Sequence, residues 1–323
     1  MVHPIWDDFP QVQAGLIKVR QIMLDESKGL PGLIGQEVAR YITAPGKYLR
    51  SGLILLVALE LDGELREGRY YLAAALELFH LATLVHDDVI DGASYRRGIE
   101  ALHQVTSNRL AIYTGDYLLT KAGHLATKGL QLLGLKESPD GLKDRLIDGV
   151  LVGEIRQLLN HYNLQITFKD YLKQIQGKTA LLFSLACQGG SLRVGSSPRE
   201  LQLAHQAGRA LGMAFQLADD LLDYEQALGQ SGKPRFQDVQ NGIYTAPILY
   251  AFVGYPDFKG WINERQKHGW SEEDLQILMD KLATSQALEK TRRLKIAYLA
   301  KAERAFKELG ISSQSLAKLS KKI

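Results

Sequence analysis

From Tyr70 to Asp91 the chain runs without a proline or glycine, and the apolar positions Leu72, Leu76, Leu78, Phe79, Leu81, Val85 and Val89 recur with no alternation. That pattern fits a long helix buried on most sides, and it fits no strand. At 1.5 Å per residue such a helix spans about 30 Å, so the rest of the fold must be laid alongside it. Start signals repeat down the chain. Ser197-Pro198-Arg199-Glu200 reads as a capping box with proline at the first helical position, Thr167–Asp170 and Ser271–Asp274 offer similar caps, and Ser138-Pro139 opens another helix. Gly189-Gly190, Gly229 and Gly232 fall where helices should stop. No strand–turn–strand pattern stands out. The expectation is an all-α protein with residues 1–323 in a single domain, a bundle of about ten or more helices around a central apolar cavity. Gly229–Pro234 reads as a loop, and Ser315–Ile323 as a fraying, solvated tail.

Charge and cysteine content narrow the function. Lys and Arg total 39 against 36 Asp and Glu, a net charge of +3 that is too small to argue for nucleic acid on its own, and no nucleic-acid partner is expected. A lone cysteine, Cys187, excludes an internal disulfide and a cysteine-rich zinc site. The longest apolar runs, Leu53–Leu59 and Ile248–Val253, fall well short of the roughly 20 residues of a transmembrane segment. The N-terminus lacks a cationic start followed by an apolar stretch. These features suit a cytoplasmic protein.

The chemistry lies in two acidic clusters. Asp87, Asp88 and Asp91 end the long helix, and Asp87 and Asp91 share one face a turn apart. Like charges at that spacing repel, and aspartate is a poor helix former. Magnesium offsets such a cost, because it takes hard oxygen ligands and bridges carboxylates to phosphate. Asp219, Asp220 and Asp223 repeat the spacing after a second apolar helix, with Gln216 one turn before Asp220. Six carboxylates at one cavity mouth ionise together only with metal or strong cationic compensation.

Cations are interleaved with them: Gly46-Lys47-Tyr48-Leu49-Arg50, Arg96-Arg97-Gly98, Gly177-Lys178-Thr179 and Gly232-Lys233-Pro234. Arginine grips phosphate bidentately and lysine supplies a point charge. Metal-bridging acids beside separate cationic cradles imply a diphosphate substrate, or two. His80 stands two turns before Asp87 on the same face. His86, next to the Asp pair, would suit an HD-type metal phosphohydrolase only with further histidine ligands, and His103, His124, His161 and His205 stand in no such motif.

With these residues laid out, the chain resembles a trans-isoprenyl diphosphate synthase of the polyprenyl synthetase family. The likeness runs from about Gly46 to Pro247 and more weakly to the C-terminus. It rests on Gly-Lys-x-x-Arg (46–50), His80 through Asp91, Arg96-Arg97-Gly98, Gly115-Asp116, Gly153-Glu154 with Gln157, Lys178-Thr179-Ala180, Phe215 through Asp223, and Gly232-Lys233. The resemblance implies an isoprenoid synthase fold in which three magnesium ions, ligated by Asp87, Asp91 and Asp219 with Asp88 and Asp223 in support, hold the allylic diphosphate. Asp220 completes the metal-binding set. Arg96, Lys178 and Lys233 steady that diphosphate; Lys47, Arg50, His80 and Arg97 hold isopentenyl diphosphate; Thr179 and Gln216 present oxygens to the nascent allylic cation. It further implies a homodimer, or alternatively the catalytic half of a heterodimer, with transient membrane contact when a lipophilic product leaves.

Two departures stand out. Tyr48 follows Lys47 where the family usually has a basic residue, and Gly242-Ile243-Tyr244-Thr245 replaces Gly-Lys-x-Thr, so one cationic grip is missing. Product length is set below the first cluster, where short-chain members carry bulky aromatics and this chain has Ala82 and Thr83. Replacing a ring by a methyl frees on the order of 100 Å³. The expected product is longer than fifteen carbons, in the range of thirty to thirty-five, with Phe79, Leu78, Leu118, Leu119 and His124 as candidates for a deeper stop. A terpene cyclase would lack the second cluster, and a non-catalytic regulatory subunit would have lost carboxylates.

Overall fold

The structure, a computed structural model, describes residues 2–135, 142–225, 236–255 and 257–320. Its described residues fall into two compact units, one drawn from residues 1–142, 185–205 and 306–322, the other from 143–184 and 206–305. Helix dominates both.

In the first unit a short turn, Pro4–Trp6, leads into α1 (Pro10–Ser27), α2 (Gly32–Thr43), α3 (Leu49–Asp62) and α4 (Glu67–Ile90). A two-residue hairpin, β1 (Tyr95–Arg96) and β2 (Ile99–Glu100), precedes α5 (Leu102–Val105) and α6 (Asn108–Leu132). Helix α4 is the expected long helix, and it packs against α1, α3 and above all α6. Its residues from Ala73 to Phe79 are all buried. The close α4–α6 approach needs small residues: a Cβ on Gly68 would sit 2.5 Å from the Gly129 carbonyl, and one on Gly115 would sit 2.2 Å from the His86 ring.

The remaining elements are α7 (Leu142–Leu159), α8 (Phe168–Ile175), a π-helical turn (Gln176–Ala180), α9 (Leu181–Ser191), α10 (Pro198–Glu225), α11 (Gln237–Gln240), α12 (Ala246–Gly254), α13 (Phe258–His268), α14 (Glu272–Thr284), α15 (Ala287–Leu309) and α16 (Ser313–Ser320). In the second unit Tyr171, Met213, Leu217, Tyr224, Phe236, Ile248 and Phe258 belong to one buried core.

The start signals at Thr167 and Ser271 are capping boxes, with both reciprocal hydrogen bonds present. At Ser197 the hydroxyl accepts from the Glu200 amide, but the Glu200 carboxylate pairs with Arg193 instead of turning back. Gly189 and Gly190 do not end α9. They lie in its last turn, where a Cβ on Gly190 would come 2.6 Å from the Val57 side chain and where the Gly189 carbonyl accepts from the buried Arg69 guanidinium. The tail is helical through Ser320, and Glu60 ties it down by accepting from the Ser312 amide and the Ser315 hydroxyl. Ser138-Pro139, Gly229 and Gly232 lie outside the described residues.

At the head of α14, two donors from Ser271 and the Arg265 guanidinium hold the Asp274 carboxyl down to about 2. A depressed carboxyl contributes stability that is present above the unfolded value near 4 and is lost as pH falls through the folded one. Asp274→Asn is therefore expected to melt below the parent chain at pH 7 and to converge with it as pH approaches 2, as read by calorimetry.

Candidate functional site

The last turns of α4 place three aspartates in different surroundings. Asp88 is 1% exposed, whereas Asp87 is half-buried and Asp91, the residue that caps the helix, is exposed. The Asp88 carboxylate accepts from Arg96 through Nε at 2.8 Å and through Nη2, and from the Tyr41 hydroxyl at 3.3 Å. Tyr41 is itself fixed, because its oxygen accepts from the Leu102 amide at 2.7 Å. Arg96 arrives on the hairpin, whose tight turn puts Arg97 and Gly98 at φ 51° and 80°. Two consecutive positive φ values make the type I′ turn that joins two-residue hairpins. Sequence reasoning missed this hairpin because its strands are too short for any alternation, although the Arg-Gly turn was a signal.

The same turn projects Arg97 toward Gly46, where a Cβ would lie 2.7 Å from Nη1. Gly46 thus makes room for the guanidinium beside the Lys47 segment. Trp6, fully buried, donates from its indole to the Lys47 carbonyl at 2.7 Å and packs over Gly52, whose Cβ position would be 2.0 Å from the ring. Tyr48 sits in the left-handed region at φ 49°, and its hydroxyl donates to the Ile42 carbonyl. Tyr48, His80 and Arg97 line one pocket of the first unit together with Glu77, a buried carboxylate that accepts from the Ser51 hydroxyl at 3.0 Å. Lys47 is exposed and Arg50 half-buried.

His80, Thr83, Leu84 and Asp87 form a half-buried stripe on α4 that leads to the exposed Asp91 at its cap. Thr83 is half-buried, and its hydroxyl donates back to the His80 carbonyl at 2.8 Å. Ala82 is fully buried, as is Leu78, and Phe79 is nearly so. In α6 Leu118 is buried, Leu119 half-buried and His124 exposed. His86 turns to α6, near the Ile112 carbonyl at 3.2 Å and Asp116 at 3.4 Å.

The second cluster, on α10, repeats the arrangement with different partners. Asp220 is 2% exposed, Asp219 exposed and Asp223 half-buried. Tyr171, also buried, donates its hydroxyl to Asp220 Oδ2, and Gln216 Nε2 donates to Oδ1 at 3.0 Å. Burial pushes the Asp220 carboxyl up to about 6 against these hydrogen bonds and that of the Ala246 amide. Gln216 in turn accepts from the Thr179 hydroxyl at 2.6 Å. Thr179 and Lys178 lie on the π-helical turn, a distortion common at functional sites. Helix α7 abuts that turn at Gly153, where a Cβ would sit 2.7 Å from the Lys178 amide nitrogen, and Glu154 on α7 pairs with Lys178 at 3.1 Å.

Asp223 accepts from the amides of Gln237 and Asp238. Asp238 was missed by sequence reasoning; burial and the charges of Asp223 and Asp220 push its carboxyl up to about 7. Lys233 lies outside the described residues. The Ile243 amide donates to the Asp238 carbonyl, and its side chain offers no donor. Among the described residues, no three His, Cys, Asp or Glu side chains group closely enough to hold a metal ion by themselves.

A family model described as "Polyprenyl synthetase" matches residues 34–281. The chain is 31% identical over 293 residues to heptaprenyl diphosphate synthase component 2 of Bacillus subtilis (strain 168), covering 90% of this chain and 82% of that one. Among solved structures it is similar to a decaprenyl diphosphate synthase from Rhodobacter capsulatus, with a TM-score of 0.84, 28% identity, and 98% and 97% of the two chains covered. It is also similar to a polyprenyl synthase from Caulobacter crescentus CB15 complexed with calcium and isoprenyl diphosphate, with a TM-score of 0.81, 30% identity, and 95% and 92% covered.

Removing Arg96 strands a buried carboxylate. Arg96→Ala is expected to cost about 3–5 kcal/mol in urea unfolding. Adding Asp88→Asn to that variant should recover part of the loss, because the stranded charge is then gone.

Proposed function

The chain belongs to the polyprenyl synthetase family, and we infer that it condenses isopentenyl diphosphate head-to-tail with an allylic prenyl diphosphate to give a product longer than fifteen carbons. It is an all-α prenyl transferase of the polyprenyl diphosphate synthase class. The observation that carries the detailed reading is the repeated cluster. Each ends an apolar helix, buries its middle aspartate in hydrogen bonds and leaves its outer carboxylates accessible.

Those outer carboxylates fit magnesium. Asp87, Asp91, Asp219 and Asp223 offer hard oxygens at half-buried or exposed positions, the ligand type that magnesium takes alongside phosphate and water oxygens. We assign three magnesium ions to Asp87, Asp91 and Asp219, with Asp88, Asp220 and Asp223 holding the clusters in shape. When bound, they neutralise charge on the leaving diphosphate as the allylic carbon–oxygen bond breaks. Arg96 gives Asp88 only its Nε and one Nη, so its remaining N–H groups are available to a phosphate oxygen. Lys178 and Lys233 join it on the allylic diphosphate. Lys47, Arg50, His80 and Arg97 hold isopentenyl diphosphate, and Thr179 and Gln216 face the allylic cation. Apolar walls keep water from trapping that cation as an alcohol. The isopentenyl double bond then attacks, and the proton lost from the adduct goes to the departed diphosphate, so no protein base is assigned.

Helix α7 exposes Leu151, Val152, Ile155, Leu158 and Leu159 along one face. An apolar stripe of this kind supports a homodimer. The name of the Bacillus relative, component 2, favours a second reading in which this chain is the catalytic half of a heterodimer. No described helix is long and apolar enough to cross a membrane. We place the enzyme in the cytoplasm as one polyprenyl synthetase domain, with membrane contact only as product departs.

Incubation of the purified chain with isopentenyl diphosphate, magnesium and primers of ten, fifteen or twenty carbons is expected to yield products of thirty to thirty-five carbons, and none when magnesium is chelated. A chain that elutes as a monomer and turns over only with an added subunit would favour the heterodimer. Thr83→Phe fills the half-buried stripe of α4 just below Asp87 and is expected to shorten the products by at least one five-carbon unit. Ala82→Phe, at a fully enclosed position, is expected instead to cost about 1–3 kcal/mol of stability by overpacking. Product sizing and urea unfolding check both variants.

A further inference from the structure

Asp220 is hydrogen-bonded through both of its oxygens inside the protein. Its Oδ1 takes the Gln216 amide, its Oδ2 takes the Tyr171 hydroxyl, the Ala246 backbone amide also hydrogen-bonds to it, and it is 2% exposed. A carboxylate only accepts. Gln216 must therefore turn its NH₂ toward Asp220 and its carbonyl oxygen toward Thr179. The Thr179 hydroxyl, 2.6 Å from that oxygen, must then donate its one proton to it. The direction of every hydrogen bond in the row Thr179–Gln216–Asp220–Tyr171 follows from the single fact that Asp220 cannot donate.

We propose that Asp220, anchored by Tyr171, is a positioning residue that polarises this relay so that the Thr179 oxygen offers lone pairs and no proton to the substrate. The inference rests on the prenyl-transfer reading, in which Thr179 faces an allylic cation. An oxygen with its proton committed inward stabilises positive charge; one with a proton turned outward would seek the diphosphate instead. Preorganised dipoles of this kind act where charge develops. The assignment sets Asp220 apart from Asp219, which is exposed, and takes it out of the metal-ligand set.

Asp220→Asn tests the polarity with almost no change in volume. With the Tyr171 hydroxyl still donating to the asparagine oxygen, the new NH₂ faces Gln216. The Gln216 amide then flips, and Thr179 must accept from it and point its proton outward. The expected outcome is a kcat lowered on the order of 100-fold. KM for both diphosphates should stay within about two-fold, with unchanged circular dichroism and unchanged magnesium-dependent binding of inorganic pyrophosphate by calorimetry. Tyr171→Phe, which only loosens the anchor, should lower kcat several-fold with the same pattern. Thr179→Val should match Asp220→Asn, and the double variant should be no worse than either single one, because both remove one function. An unchanged kcat in Asp220→Asn, additive losses, or a parallel fall in magnesium–pyrophosphate affinity would overturn the proposal; the last result would return Asp220 to the metal ligands. If Asp220→Asn does not fold, Tyr171→Phe and Thr179→Val decide by the same readouts. A parent chain that consumes neither diphosphate would overturn the prenyl-transfer reading, and this inference with it.

Discussion

Carboxylates crowded into the last turns of a helix are opposed twice, by one another and by the negative end of the helix dipole. This chain does so at the ends of both α4 and α10, and each time the middle aspartate is what makes the arrangement tolerable. Asp88 and Asp220 are withdrawn from water and given enough donors to hold them. Their neighbours Asp87, Asp91, Asp219 and Asp223 are more accessible to water. Like-charged carboxylates this close repel, a cost that the fold carries at the ends of both helices.

The tyrosines that hold the middle aspartates come from distant parts of the sequence, and Arg96 comes from outside the helix. Tyr41 lies on α2 and is fixed by the amide that begins α5; Arg96 comes from a hairpin that only two consecutive left-handed residues can close. Tyr171 lies on α8, which leads into the π-helical turn that carries Thr179. Each cluster therefore fixes its surroundings as much as it is fixed by them. Where Asp88 pulls Arg96 in, Arg97 is carried with it onto Gly46, and the cation next to the Lys47 segment comes into place.

Much of this was legible in the residues. The period of α4, the repeated acidic spacing and the caps at Thr167 and Ser271 are local signals, and local signals survive into the fold. What was not legible depends on distance in the chain. That Gly190 serves close packing on Val57 and not helix termination requires knowing which helix lies across from it. Six aspartates look equivalent in sequence, but burial divides them, and burial is a tertiary property. Tyr41, Glu77, Tyr171 and Asp238 carry no motif of their own; they matter because of what they touch.

The two clusters share a pattern but not an electrostatic solution, and the difference bears on their work. Asp88 is held by a guanidinium, a full positive charge that keeps the pair anchored. Among the described residues, no cation pairs with Asp220. Neutral donors from Tyr171, Gln216 and Ala246 hold it, and burial pushes its carboxyl upward. A cation there would have competed with the Gln216 amide for the carboxylate oxygens and broken the row that ends at Thr179. On the proposed reading, an ion pair suits the cluster whose neighbours would grip a diphosphate, and a relay of directed dipoles suits the one whose neighbours would face a carbocation.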